Sequence, residues 1–289
     1  MSSKLQSLEK LQDTIADTFA LYSAADGEQF AKGYRKYPKV WRLVTTSDMA
    51  LEKALLSYFK KLAKTVATGI NWQQYEQRVD KVKQASVLDF IQVNWTDQSL
   101  LVKVLLVKAL KDAIEGGGSF VELETAINIG WTADNKYAQT FLQKYAVKLS
   151  GNLNKSTIEL VKSSLDMSIS LGESQSEATS RLINVIANPR RAATIAHTET
   201  VRAFAGGSMS VAAQVGVDRK RWDSTIGACP ICAPLDGMTV ALDKPFTTGI
   251  FSEPAHPNCR CLTKFLMPES GKPAEYDPDE VAKMVIDQY

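Results

Sequence analysis

Histidine is nearly missing from this chain: there are two in 289 residues, His197 and His256. Acid–base catalysis runs most often through histidine, so few such sites can be built here. Cysteine is almost as scarce. All four cysteines fall between positions 229 and 261, which excludes a disulfide framework spread along the chain. Net charge is also small, +2, so the chain as a whole is not the strongly basic body of a dedicated nucleic-acid binder. There is no uninterrupted apolar run of about 18 residues, so no membrane span is expected. Met1-Ser-Ser-Lys-Leu-Gln6 leads into a polar, helix-patterned segment. The expectation is therefore synthesis in a cytoplasm, without a secretory signal. Three consecutive glycines, Gly116 to Gly118, are not followed by Gly-Lys-Ser/Thr, so they do not form a phosphate-binding loop. No internal repeat stands out.

What the chain does have is concentrated in one stretch. Cys229-Pro-Ile-Cys232 is followed by Leu235-Asp-Gly237 and then by His256-Pro-Asn-Cys259-Arg-Cys261. Two cysteine pairs at this separation can aim four sulfurs at one point, and zinc takes four such ligands tetrahedrally. The second pair is Cys-x-Cys, tighter than the usual x2 spacing. His256 is a fifth candidate, so a site of three cysteines and one histidine stands open beside a site of four cysteines. Two disulfides, or four buried thiols, are the alternatives. In any of these forms the cluster staples a segment that has little core of its own.

The rest reads mostly as helix. Hydrophobic residues make up 45% of the chain, enough for a core in each of two domains. Residues 3–24 and 47–68 carry helical apolar stripes, the second through Leu51, Leu55, Leu56, Phe59, Leu62 and Val66, with Gly69 as a stop. Between them, Lys32 to Arg42 is basic with interleaved aromatics, a pattern that can grip nucleic acid but more commonly forms a solvated loop. Asn71 to about Val93 is predicted helical. Ser99 is predicted to cap a strongly apolar, buried helix over 100–110, ended by the glycine triplet. A hinge and domain boundary are expected there. Phe120 to Gly130 fits helix or strand. Beyond it, 133–149 is predicted helical. Ser156-Thr-Ile-Glu159 and Ser174-Gln-Ser-Glu177 read as capping boxes opening helices to Leu171 and about Ala187. Asn188-Pro189 opens a helix to about Val215, stopped by Gly216. On that helix Glu199 and Arg202 can pair at i,i+3. His197 does not share their face, and a helix surface packed on the cysteine segment is its simplest role. From Val217 the pattern turns to short strands, at 219–224, 239–242 and 261–266. Residues 268–278 read as a linker before a short acidic helix.

The expected fold is therefore mainly α. An N-terminal helical domain (1–115) is joined to a C-terminal α+β module (119–267) with a small cysteine-stapled β subdomain, followed by an acidic tail (268–289).

Several of these motifs together resemble the phage head morphogenesis (Mu F-like) family. They are Arg190-Arg-Ala-Ala-Thr-Ile-Ala-His-Thr-Glu199 with Arg202-Ala203, Trp222-Asp-Ser-Thr225, Cys229 to Gly237, and Pro254-Ala-His-Pro-Asn-Cys-Arg-Cys261. The likeness runs from about Ala138 to Met267. It departs at His197, where the family usually has Arg, and at Ile226-Gly-Ala228, where an Asp commonly precedes the first cysteine. The resemblance implies a minor capsid protein of a tailed bacteriophage, made in the bacterial host cytoplasm and located in the virion. It also implies a role in head morphogenesis at the portal. Its expected partners are the portal protein, with scaffold or major capsid protein, and it would be packaged or ejected with the DNA. No catalytic activity is expected. A zinc-containing nuclease is the alternative suggested by His256-Pro-Asn258, but a base and an open catalytic metal position are both lacking. DNA binding inside the head is a further alternative, resting on Arg219-Lys-Arg221 and residues 32–42.

Overall fold

The computed structural model describes residues 38–79, 91–224 and 228–288. The helix expected at 3–24 and the basic stretch from Lys32 to Tyr37 lie outside them, as do residues 80–90 of the helix expected from Asn71 to Val93. The first described helix, α1 (Pro38–Thr68), starts earlier than the apolar stripe alone suggests, because proline is accommodated in a first helical turn. Leu51, Leu55, Phe59, Leu62 and Val66 of its stripe are buried. A short α2 (Trp72–Val79) follows. Then comes α3 (Trp95–Ala109), capped by Asn94, whose side chain accepts from the amides of Thr96 and Asp97. Ser99 is not the cap. It lies within the helix, and its hydroxyl accepts from Asn154 Nδ2 at 2.6 Å.

Two expectations about the middle of the chain are corrected. The apolar helix over 100–110 is not buried all round. Val102, Leu106 and Leu110 are buried, whereas Leu100, Leu101 and Val104 are 58%, 60% and 71% exposed. A helix packed on one side covers only the stripe that faces its neighbours. The glycine triplet, in turn, neither ends a helix nor makes a hinge. It lies inside α4 (Lys111–Thr125), with all three glycines buried.

The reason is close helix packing. A Cβ on Gly117 would lie 1.9 Å from the Phe204 carbonyl oxygen, and one on Gly207 would lie 2.1 Å from the Ile114 carbonyl oxygen. Glycines on both helices thus let two backbones touch. Ser208 Oγ ties them further, donating to the Gly117 carbonyl at 3.0 Å. The boundary expected at 115–119 accordingly falls inside a helix. One apolar core runs through it, from Val40 to Ile286.

Residues 136–170 form one helix, α5 (Lys136–Ser170), where two were expected. The Ser156 capping box does not form: the hydroxyls of Ser156 and Thr157 both bond back to the Leu153 carbonyl. By contrast, Ser174 and Glu177 form the reciprocal box that opens α6 (Gln175–Ile186). Gly172, at φ 67°, turns the chain between α5 and α6. Asn188 caps α7 (Pro189–Gln214), and Gly216, at φ 79°, ends it.

Three short strands follow, β1 (Arg219–Asp223), β2 (Thr239–Ala241) and β3 (Leu262–Leu266), in an antiparallel sheet of order β2-β1-β3. Lys220 of β1 faces Val240 on one side and Phe265 on the other. The C-terminal helix α8 (Pro278–Asp287) is no loose tail. Its Val281, Ala282, Val285 and Ile286 are buried in the main core. The molecule is thus mainly helical, with a small antiparallel sheet and a cysteine cluster toward its C-terminus.

Candidate metal centre

A second, smaller core sits beside the sheet, made of Trp222, Cys232, Leu235, Phe246, Cys259 and Cys261. Two tight turns deliver its sulfurs. In the first, Cys229-Pro-Ile-Cys232, the Cys232 amide donates to the Cys229 carbonyl at 3.0 Å and the Ala233 amide to the same oxygen at 2.9 Å. A single 3-10 turn, Ala233–Leu235, continues it. Asp236 Oδ1 then accepts from the Ser224 amide at 2.9 Å, while Ser224 Oγ donates to the Cys232 carbonyl at 2.9 Å. The first turn is thereby pinned to the end of β1.

In the second turn, His256-Pro-Asn-Cys259, the Cys259 amide donates to the His256 carbonyl at 3.1 Å. Asn258 takes φ 59°, a left-handed conformation that Asn tolerates better than most residues. Helix α7 holds this turn down. Thr198 Oγ1 accepts from the Asn258 amide at 3.1 Å, and Thr194 Oγ1 from Asn258 Nδ2 at 3.3 Å.

The five residues singled out in the sequence converge. Their donor atoms form two overlapping triads, Cys229–Cys232–His256 and Cys232–Cys259–Cys261, each with all atoms within 4.8 Å of one another. Cys232 belongs to both. Cys229 Sγ lies 3.1 Å from His256 Nε2, and Cys232 Sγ lies 3.8 Å from Cys259 Sγ. All four cysteines are free in this structure. Burial pushes the Cys232 thiol up to about 12. The Cys259 thiol is also raised, first by its hydrogen bond with Cys261 and then by burial. The donor set, sulfurs and an imidazole nitrogen within 4.8 Å of one another in each triad, suits a thiophilic divalent ion such as zinc.

His197 is not part of the cluster. Its Nδ1 lies 3.1 Å from Asp48 Oδ2 of α1, and its Nε2 lies 3.3 Å from the Cys259 carbonyl. It thus ties α1 and α7 to the cysteine loop. Glu199 and Arg202 do pair, with Arg202 Nε 3.0 Å from Glu199 Oε2, but not on a surface. Arg202 is 1% exposed. Tyr145 of α5 donates a second bond to Glu199, and burial pushes the Glu199 carboxyl up.

The Arg219-Lys-Arg221 run also looks different in the structure. Lys220 is fully buried, and Arg219 pairs with Asp218 and Glu269. Asp48, Thr194 and Thr198, which seat the loop, were not singled out in the sequence, and Asn258 was noted only within His256-Pro-Asn258. Only Asn258 carried a signal, as a turn-former after proline.

Fold and site together define a helical protein whose α+β module is held by a cysteine–histidine cluster. Residues 159–264 match the family described as Phage Mu protein F like protein. The match runs from the second half of α5 into β3 and contains the whole cluster. That stretch is similar to a phage head morphogenesis family, which points to a phage head-related protein. No curated protein and no solved structure matches it.

Proposed function

We propose that this protein is a minor head protein of a tailed bacteriophage, acting in head morphogenesis at the portal. The match of residues 159–264 to the phage Mu protein F-like family carries this reading. On it, the partners are phage structural proteins, first the portal protein and then scaffold or major capsid protein, and the location is the virion. Packaging and exit with the DNA belong to the same proposal. No helix among the described residues is long and apolar enough to cross a membrane.

Docking through the helical part is supported by the apolar face that α3 leaves in solvent, with Leu100, Leu101 and Val104 exposed. Contiguous exposed apolar surface commonly marks an interaction site. Because one core joins residues 40–115 to the rest, deleting them would unfold more than a dock. Surface substitution is the cleaner test. Leu101→Asp with Val104→Asp should leave the thermal transition unchanged and abolish co-purification with the portal protein. Undiminished co-purification would remove α3 as the dock.

We also read the protein as non-enzymatic. Each ring nitrogen of His256 and of His197 already faces a polar partner, which leaves neither histidine poised as a free base. Purified protein should not cleave DNA in the presence of divalent metal. Cleavage that disappears in His256→Ala would establish the nuclease reading instead.

A further inference from the structure

The two turns of the cysteine cluster are built alike. Each is an x2 pair with proline second: Cys229-Pro-Ile-Cys232 and His256-Pro-Asn-Cys259. Each closes through the same bond, the amide of the fourth residue donating to the carbonyl of the first, at 3.0 Å and 3.1 Å. Each therefore presents its first and last side chains from an equivalent backbone. The symmetry pairs His256 with Cys229 and Cys259 with Cys232. Cys261 has no counterpart in the first turn.

The tautomer of His256 points the same way. Its Nδ1 lies 2.8 Å from the Pro257 carbonyl. A carbonyl only accepts, so Nδ1 carries the proton and Nε2 of the neutral ring holds its lone pair. That lone pair faces the cluster, 3.1 Å from Cys229 Sγ. A ring whose other nitrogen is anchored to a carbonyl is the usual arrangement of a metal-bound histidine. The sulfur spacing fits as well. Zn–S bonds of about 2.3 Å place tetrahedral sulfurs about 3.8 Å apart, and Cys232 and Cys259 already stand at 3.8 Å.

We propose that the protein binds one zinc ion through Cys229 Sγ, Cys232 Sγ, His256 Nε2 and Cys259 Sγ, with Cys261 outside the ligand set. Three thiols lose their protons to solvent as three Zn–S bonds form, and the neutral imidazole supplies the fourth bond without losing one. Zinc and three thiolates leave the centre with one net negative charge. The donors are not yet gathered around one point, since the two triads share only Cys232. Uptake draws the Cys229–His256 pair and Cys259 inward. Cys261, 2% exposed and leading into β3, remains a buried thiol that can donate to the Cys259 sulfur.

The test uses the full chain expressed with zinc. Metal analysis should give one zinc per chain, and X-ray absorption at the zinc edge should give three sulfurs and one nitrogen. Cys261→Ser should keep full zinc occupancy, while His256→Ala should lose zinc or bind it far more weakly. Four sulfurs at the edge, or loss of zinc in Cys261→Ser with retention in His256→Ala, would overturn the ligand set in favour of four cysteines. A zinc-free protein whose mass is reduced by two hydrogens per bond would overturn the metal altogether in favour of disulfides. The edge spectrum is recorded on the unsubstituted chain, so it decides the ligand set even if a variant fails to fold.

Discussion

Lys220 stands on the central strand with no exposed surface. Its ammonium position lies 3.1 Å from the centre of the Phe251 ring and 5.4 Å from that of Phe246. Burial pushes it from 10.5 down to about 6. At neutral pH the folded chain thus holds a neutral amine where the unfolded chain holds a cation. The stability contributed by this group is fully present above the unfolded value of 10.5 and is lost as pH falls toward about 6. Lys220→Met removes that loss. It should stabilise the protein by on the order of 2 kcal/mol near pH 7, and the gain should shrink as pH approaches 10. Urea denaturation at two pH values reads this directly, and a gain independent of pH would contradict it. The Glu199–Arg202 pair makes the opposite case. Arg202→Met strands a buried carboxylate and should cost about 3–5 kcal/mol, whereas adding Glu199→Leu should recover most of that loss. A double variant as unstable as the single one would show that the pair itself is not what Arg202 serves.

At the scale of elements, the glycines divide by what surrounds them. Gly117 lies where α4 and α7 touch, and a methyl there would meet the Phe204 carbonyl at 1.9 Å. Gly117→Ala should destabilise by several kcal/mol despite alanine's better helix propensity. Gly151 lies within α5 with nothing within 4 Å of the added methyl. Gly151→Ala should stabilise by about 0.5–1 kcal/mol. Thermal melts of the two variants, shifting in opposite directions, check both. These sites also explain what could be read in advance. Capping at Ser174 and Asn188 was legible because both signals sit beside real breaks, Gly172 and Pro189. The same capping pattern at Ser156 failed, since nothing nearby stops α5 and a serine in a helix can bond back to its own turn. The glycine triplet misled for a related reason. Glycine frees a backbone, but it also lets another backbone approach, and only the partner helix decides between them. The burial of α3 was overestimated because its apolar run names no face.

For the whole molecule, the cysteine–histidine cluster was the most legible part. Its five donors lie in a short stretch whose turns are written in proline and asparagine. The anchors beneath it were not, because Asp48, Thr194 and Thr198 reach it from distant helices. Nor was the single core that joins the helices before and after residue 116, since long-range packing leaves no local pattern. That unity means the module matching the phage Mu protein F-like family is seated on the other helices and not tethered to them. His197 is one of its fastenings, and His197→Ala should speed proteolysis of the loop at 242–261 while leaving the helices resistant. Equal protease resistance would remove that role.

Incorporation into a phage head is the property on which the proposed role depends. The direct measurement is quantitative mass spectrometry of purified procapsids and mature heads. The protein should be present in procapsids at a fixed, low ratio to the portal protein and far below the major capsid protein. Its absence from both particles, with the soluble protein accumulating in the lysate, would contradict the account.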